Sequence, residues 1–271
     1  MRKTTLSLLI AAALVSPLTA FAQAAAAPQS PHTLTGNMAI VSDYRFRGIS
    51  QTFGQPAIQG GIDYSHASGF YLGNWNSNVS GNSYNGGAGI EMDFYGGFKK
   101  AFGDFGFDVG LLQYYYPSAM VAGTNTKYDT LEGYLAVSWK WLSAKYSVTT
   151  TDYFGLNNTT FATNSAGAIA CTGSDSKGSG YLDISASYEI RPKLTVVGHY
   201  GNQSIKDCSP LEYSDYKIGL TYDASGWLLG AAYIDTDADP AFYTLSNGNG
   251  ASTKTKDVGK GTVVLSVSKS F

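Results

Sequence analysis

The chain has 271 residues, of which 14% are charged and 14% aromatic, with 20 Tyr and 32 Gly. A soluble domain of this length is about a quarter charged, so the composition does not fit a single solid core; it fits alternating apolar and polar residues. The formal net charge of -2 leaves no basic excess for a nucleic-acid face.

In chain order the first signal is a leader. Arg2 and Lys3 supply a positive start, Leu6 to Leu18 an apolar stretch, and Ala20-Phe21-Ala22 the small side chains that a signal peptidase accommodates. Residues 1–22 read as a signal peptide cleaved after Ala22, with Ala26 as the second choice. The apolar stretch is too short for a membrane anchor. Residues 23–32, rich in Ala, Gln, Pro and Ser, read as a flexible leader, and residues 33–271 as one domain. Taking Arg2 and Lys3 from the 18 basic residues leaves 16 against 20 acidic ones in the mature chain.

From Thr33 onward the hydrophobic period is two. Ile90, Met92, Phe94 and Phe98 share one face, against Glu91, Asp93, Tyr95 and Lys99. Leu182, Ile184, Ala186, Tyr188 and Ile190 oppose Asp183, Ser185, Ser187 and Glu189. Strands are expected near residues 33–47, 57–66, 70–78, 88–99, 105–116, 128–140, 142–152, 180–190, 193–202, 213–223, 227–236 and 260–271. Two-faced strands also occur in soluble sandwiches, but the connections here alternate. Short turns such as Asp223-Ala224-Ser225-Gly226 take turns with long polar segments at 48–56, 79–87, 117–127, 153–179, 203–212 and 237–259. That sorting points to an all-β fold: a single antiparallel transmembrane barrel of about twelve strands, with short periplasmic turns and long extracellular loops. Hydrocarbon offers backbone groups no partner, so strands span it only in a closed sheet.

The last strand alternates Val263, Leu265 and Val267 toward a terminal Phe271. A terminal aromatic resembles the signal read by the barrel-assembly machinery, although Lys269 stands where an apolar residue is more usual. Tyr44, Phe46, Trp75, Tyr188 and Trp227 are expected to face outward as an aromatic girdle at the lipid headgroups. Tyr114-Tyr115-Tyr116 is read in the same way, ahead of a stacked sugar slide within a pore.

The segment Ser42-Asp43-Tyr44-Arg45-Phe46-Arg47-Gly48-Ile49-Ser50-Gln51-Thr52 resembles a family signature, continued by Pro56-Ala57-Ile58-Gln59-Gly60-Gly61 and His66-Ala67-Ser68-Gly69-Phe70-Tyr71. The resemblance is to the TorF-type porins, a family of conserved hypothetical outer-membrane proteins of Gram-negative bacteria. It covers nearly the whole mature chain and implies an outer-membrane barrel and a pore. It brings no established substrate and no catalytic residue.

By parity the expected pore-lining residues include Asp43, Arg45, Arg47, Asp63, Glu91, Asp93, Glu132, Lys145, Asp183 and Lys217. Both signs are present, so no ion preference follows from the count. Asp43, Arg45 and Arg47 at the outer end suit either a charged constriction or ion pairs that stiffen a narrow barrel. Cys171 and Cys208 lie in two different expected extracellular loops, where an oxidising compartment allows a disulfide between them. The three histidines are His32, His66 and His199. A barrel lipid hydrolase pairs a strand His with a Ser two residues on, but position 201 is Gly. No phosphate loop, paired-Cys zinc motif or His-Glu-x-x-His occurs, so neither metal nor cofactor is expected. The reading is therefore a passive channel for small hydrophilic solutes or ions rather than an enzyme, set in outer-membrane lipid. The alternative is a non-conducting barrel that binds an outside partner through its loops; barrel-embedded lipid hydrolysis ranks last.

Overall fold

The computed structural model describes residues 30–81, 88–121, 123–246 and 254–271; the expected signal peptide and most of the expected leader lie outside the described residues. Twelve long strands follow in order: β1 His32–Val41, β2 Ala57–His66, β3 Phe70–Asn78, β4 Ile90–Phe102, β5 Phe105–Tyr115 and β6 Thr130–Trp139. The second six are β7 Leu142–Thr149, β8 Gly180–Arg191, β9 Leu194–Ser204, β10 Tyr213–Ala224, β11 Trp227–Thr236 and β12 Thr262–Ser270. Each pairs antiparallel with its chain neighbours, and β1 pairs with β12 to close the barrel. Closure continues to the last residue: Phe271 and Gly36 exchange two backbone hydrogen bonds, of 2.7 and 3.0 Å. The Phe271 ring lies over Gly36, where a Cβ would meet it at 2.8 Å. Among the described residues no helix is long and apolar enough to cross a membrane.

Alternation sets the faces. Ile58, Ile62, Leu135, Ile218 and Val263 stand on the outside and are exposed, while their chain neighbours turn inward. An outer belt of Leu, Ile, Val and Phe needs lipid around it, and the closed ladder pairs the backbones of neighbouring strands with one another. Five connections are tight. Ser225 (φ 59) and Gly226 (φ 88) are both left-handed, as the two central residues of a type I′ hairpin turn must be. On this short-turn rim Tyr188 and Trp227 face outward, 57% and 41% exposed. Lys269 also points out here, and its ammonium sits 4.9 Å from the Trp227 ring centre. The long aliphatic stem allows that position at a headgroup boundary, which accounts for a Lys so close to the C-terminus.

The first strand departs from its expected length. It leaves the wall after Val41 instead of running to residue 47. Ser42 ends it by hydrogen-bonding Leu265 through both its N–H and its hydroxyl, each at 2.9 Å. Arg47 (φ 47) and Gly48 (φ 80) then form a left-handed turn between Arg45–Phe46 and Ile49–Ser50, a second hairpin that folds into the barrel. Tyr44 and Phe46 are therefore not girdle residues: Tyr44 is 5% exposed and Phe46 packs against the buried cluster around it. Trp75 is corrected too. It shares the inward face of β3 with Tyr71 and Ser77 and is 4% exposed. Tyr114 and Tyr116 also lie inside, and of that run only Tyr115 is exposed.

Candidate functional site: a filled mouth above a polar cup

The inward hairpin puts Arg47 at the centre of the long-loop end. Its guanidinium donates to both Glu132 carboxylate oxygens, at 2.7 and 2.8 Å, and to Gln203 Oε1 at 2.7 Å. It also lies against the faces of Phe46 and Tyr181, 4.7 and 4.2 Å from the ring centres. A planar, forked donor fits a carboxylate and two rings at once, which an ammonium does not. Arg45 turns the other way, bonding Asp43 at 2.7 Å and the carbonyls of Gly48, Val258 and Lys260. Asp43 in turn accepts from Ser50 and Thr52, at 2.5 and 3.0 Å, which pins the base of the hairpin.

Around this centre the barrel is filled. Glu91 accepts from Tyr44 at 2.5 Å and from Tyr116. Phe154, itself left-handed (φ 47), brings the loop after β7 down onto Phe46, Tyr114 and Tyr116. Burial pushes the neighbouring Tyr153 phenol up to about 12, against the pull of the Arg47 charge. Cys171 and Cys208 are bonded and tie that loop to the one after β9. All twelve strands contribute buried lumen side chains at this level, from Val41 and Ser77 through Glu91, Thr130 and Gln203 to Val264. Both carboxylate oxygens of Asp93 are buried without a hydrogen-bond partner among the described residues.

Toward the short-turn rim the inward faces carry a second cluster of polar side chains, the cup. Asp63 accepts from Tyr95 at 2.5 Å and Asn37 at 3.2 Å, and Asp108 accepts from Tyr71 at 2.6 Å. Tyr95 reaches Asp63 by lying across Gly73, where a Cβ would come within 2.2 Å of its ring. On the far wall His199 stands between two carboxylates, with Nε2 2.8 Å from Asp215 and Nδ1 3.4 Å from Asp183. Ser185 donates to Asp183 at 2.6 Å and Tyr181 to Asp215 at 2.8 Å. The carboxylates of the cup thus all have protein donors. Lys145 and Lys217 take part in none of the ion pairs among the described residues; Lys145 lies 5.0 Å from the Tyr134 ring centre. Among the described residues no group of three or more His, Cys, Asp or Glu side chains is arranged to hold a metal.

The residues named from parity divide between these two layers. Asp43, Arg45, Arg47, Glu91, Asp93 and Glu132 come together in the mouth, while Asp63, Lys145, Asp183 and Lys217 line the cup. Sequence reasoning missed Gln203, Tyr153 and Tyr181, which reach Arg47 from other strands and loops, and Phe154, which packs on Phe46. The available signal was Gly48, a residue suited to a left-handed turn, inside an otherwise alternating segment.

A closed twelve-stranded antiparallel barrel with a polar lumen and an apolar belt is a transmembrane barrel of the porin fold. The chain belongs to the family described as "Bacterial protein of unknown function (Gcw_chp)", which it matches over residues 25–271. No curated protein matches its sequence. Among solved structures it is similar to the KdgM porin in complex with disordered oligogalacturonate, at 10% identity and a TM-score of 0.50, over 88% of this chain and 99% of that one. The NanC porin is similar at 11% identity and a TM-score of 0.50, again over 88% and 99% of the two chains. At such identity the likeness is one of fold.

Proposed function

We propose that this chain is a porin-like channel of the bacterial outer membrane, passing small hydrophilic solutes or ions, and that its first loop holds the outer mouth closed. The observation that carries the reading is the two-layered lumen: a polar cup beneath a hairpin latched by one buried Arg47–Glu132 pair. The signature-like segment Ser42–Thr52, which resembles the TorF-type porins, is the latch itself. The shared fold of two porins, one captured with an oligogalacturonate, supports hydrophilic solutes as the class. In this reading residues 1–22 direct export, the assembly machinery reads Phe271, and the short-turn rim faces the periplasm.

The filled mouth also favours a second reading, a non-conducting barrel whose loops bind an outside partner. Hydrolysis is not favoured. Ser185, His199 and Asp215 are in contact, but the Ser185 proton is directed to Asp183 and both imidazole nitrogens face carboxylates. A ring so placed is a double donor rather than a base.

Planar-bilayer recording of refolded protein separates the two readings. Arg47→Ala leaves the buried Glu132 charge unpaired, at a cost of about 3 kcal/mol or more, which shifts the closed-to-open ratio roughly a hundredfold. Wild type is expected to be mostly silent and Arg47→Ala to show discrete open steps, with Arg45→Ala/Arg47→Ala at least as active. A variant that keeps its β-rich, heat-modifiable fold and stays silent would move the search to loop partners.

A further inference from the structure

Charge is not spread evenly between the two ends of the barrel. The six long connections carry eight basic and nine acidic residues, which nearly cancel. The five short turns, with the strand ends beside them and the C-terminus, carry six basic residues against three acidic ones. The three carboxylates are Asp104, Glu189 and Asp223. Glu189 accepts from the Lys193 N–H at 2.9 Å and Asp223 from the Gly226 N–H at 2.7 Å, so each caps its own turn. Both also keep the inward parity of their strands, with Asp183 on β8 and Asp215 on β10.

Three of the ammonium groups stand on the other face. Lys100 follows Phe98 outward on β4 and pairs across the strands with Phe107. Lys269 follows Val267 outward on β12, its ammonium 4.9 Å from the Trp227 ring centre. Lys140, in the turn after β6, holds its ammonium 4.8 Å from the ring centre of Trp139. Among the described residues Lys100 and Lys269 join no ion pair, and Lys140 meets only Asp104, at 3.9 Å and in the open. Trp139, Trp141 and Trp227 are all outward and exposed on this rim. Such rings settle where acyl chains give way to headgroups. A lysine stem laid along one carries its charge to the level of the phosphates.

We propose that the short-turn rim binds anionic phospholipid headgroups, with Lys100, Lys140 and Lys269 on the phosphates and the three tryptophans at the acyl boundary. The inference rests on the reading of the chain as a transmembrane barrel whose short-turn rim meets the periplasmic leaflet. A zwitterionic headgroup brings its own cation to its phosphate and gains little from a lysine. A headgroup with net negative charge is attracted by each ammonium, about fivefold per lysine held near the surface. Lys100 and Lys269 lie within strands on the outer wall and not on the turns, which suits a lipid and does not suit a soluble protein.

The chain carries its own reporters. Of its four tryptophans Trp75 is buried inside the barrel, and the other three stand on this rim. Quenching of tryptophan fluorescence by acyl-brominated lipid therefore reads the lipid in contact with the rim. Refolded protein in phosphatidylcholine bilayers is titrated with brominated phosphatidylglycerol or with brominated phosphatidylcholine. Half of the quenching is expected at an at least threefold lower mole fraction of the anionic lipid. Lys100→Gln/Lys140→Gln/Lys269→Gln is expected to bring the two lipids level, and Lys100→Arg/Lys140→Arg/Lys269→Arg to keep the difference, both variants remaining heat-modifiable. Equal quenching of wild type by the two lipids, a preference that survives in the glutamine variant, or one lost in the arginine variant would each overturn the proposal. No conducting pore is needed, so the outcome is independent of the bilayer recordings that test the channel.

Discussion

The mouth and the cup share the same twelve strands and the same inward parity, yet one is packed around aromatic rings and the other around polar side chains. In the mouth, edge-to-face aromatic pairs such as Tyr44 with Trp75 and Phe46 with Tyr114 fill the space, and Arg47 is consumed by Glu132. In the cup, carboxylates are held by tyrosines, a serine and a histidine, while Lys145 and Lys217 are half-buried and join no ion pair among the described residues. Strand chemistry does not separate the two layers, since Glu132 in the mouth and Lys145 in the cup lie on neighbouring strands, each facing in. The loops separate them. Mouth positions pack against loop residues such as Arg47 and Phe154, and cup positions pair with side chains of nearby strands.

The largest effect is expected from loosening the loops while sparing the strands. The Cys171–Cys208 bond closes a separation of 37 residues, for which the chain-entropy model gives about 4 kcal/mol. Both sulfurs sit in a buried cluster with Tyr153, Leu156, Ile205 and Leu211, directly above the aromatic core of the mouth. Reduction, or Cys171→Ala/Cys208→Ala, is expected to open the loop after β7 to proteolysis and to hasten amide exchange at Tyr153 and Phe154. The barrel itself should remain heat-modifiable. Equal protection in reduced and oxidised protein would mean that the hairpin alone closes the mouth.

The barrel was legible in the sequence because two of its rules are local. Alternation needs only neighbours, and loop sorting needs only spacing, so strand number, closure and the outward Tyr188 and Trp227 all followed. The mouth was not legible because its residues meet through tertiary contacts. Tyr44 and Phe46 keep the right parity for lipid, but only while the strand continues past Val41. Once the chain turns at Arg47-Gly48 that parity means nothing, and the side chains go where Glu132, 85 residues on, draws the hairpin. Trp75 was misread for a simpler reason: near a strand end, an aromatic suits a girdle by type, and only the register with Gly61 and Asp93 turns it inward.

A smaller effect is expected in the cup, where charge is touched without touching packing. In the conducting Arg47→Ala background, Lys145→Gln/Lys217→Gln removes two unpaired ammonium groups from the wall. A unit charge about 7 Å from a water-filled axis is worth roughly 0.6 kcal/mol, or nearly threefold in relative permeability. The reversal potential in a potassium chloride gradient should therefore move toward cation preference, while the melting temperature stays put. A stability loss without a change in selectivity would place these lysines in the packed layer and erase the boundary between mouth and cup.

The smallest effect is expected from a contact that spans the same two loops as the disulfide but lies in water. Lys206 donates to Asp175 at 3.0 Å and passes within 3.9 Å of Asp207, with about half of each side chain exposed. The ammonium holds the Asp175 carboxyl below its usual range, and the carboxylate holds Lys206 above its own. A depressed carboxyl contributes above its unfolded value near 3.9 and loses that contribution as the pH falls through its folded value. A raised ammonium contributes below about 10.4 and loses it as the pH rises further. Between those limits the pair is constant, and solvent screening keeps it weak. Asp175→Asn should leave both the melting temperature and the proteolytic pattern at neutral pH unchanged, where reduction of the disulfide changes the second. If Asp175→Asn loosens the loop as much as reduction does, surface charge holds the mouth shut, and high salt should then open the wild-type channel by itself.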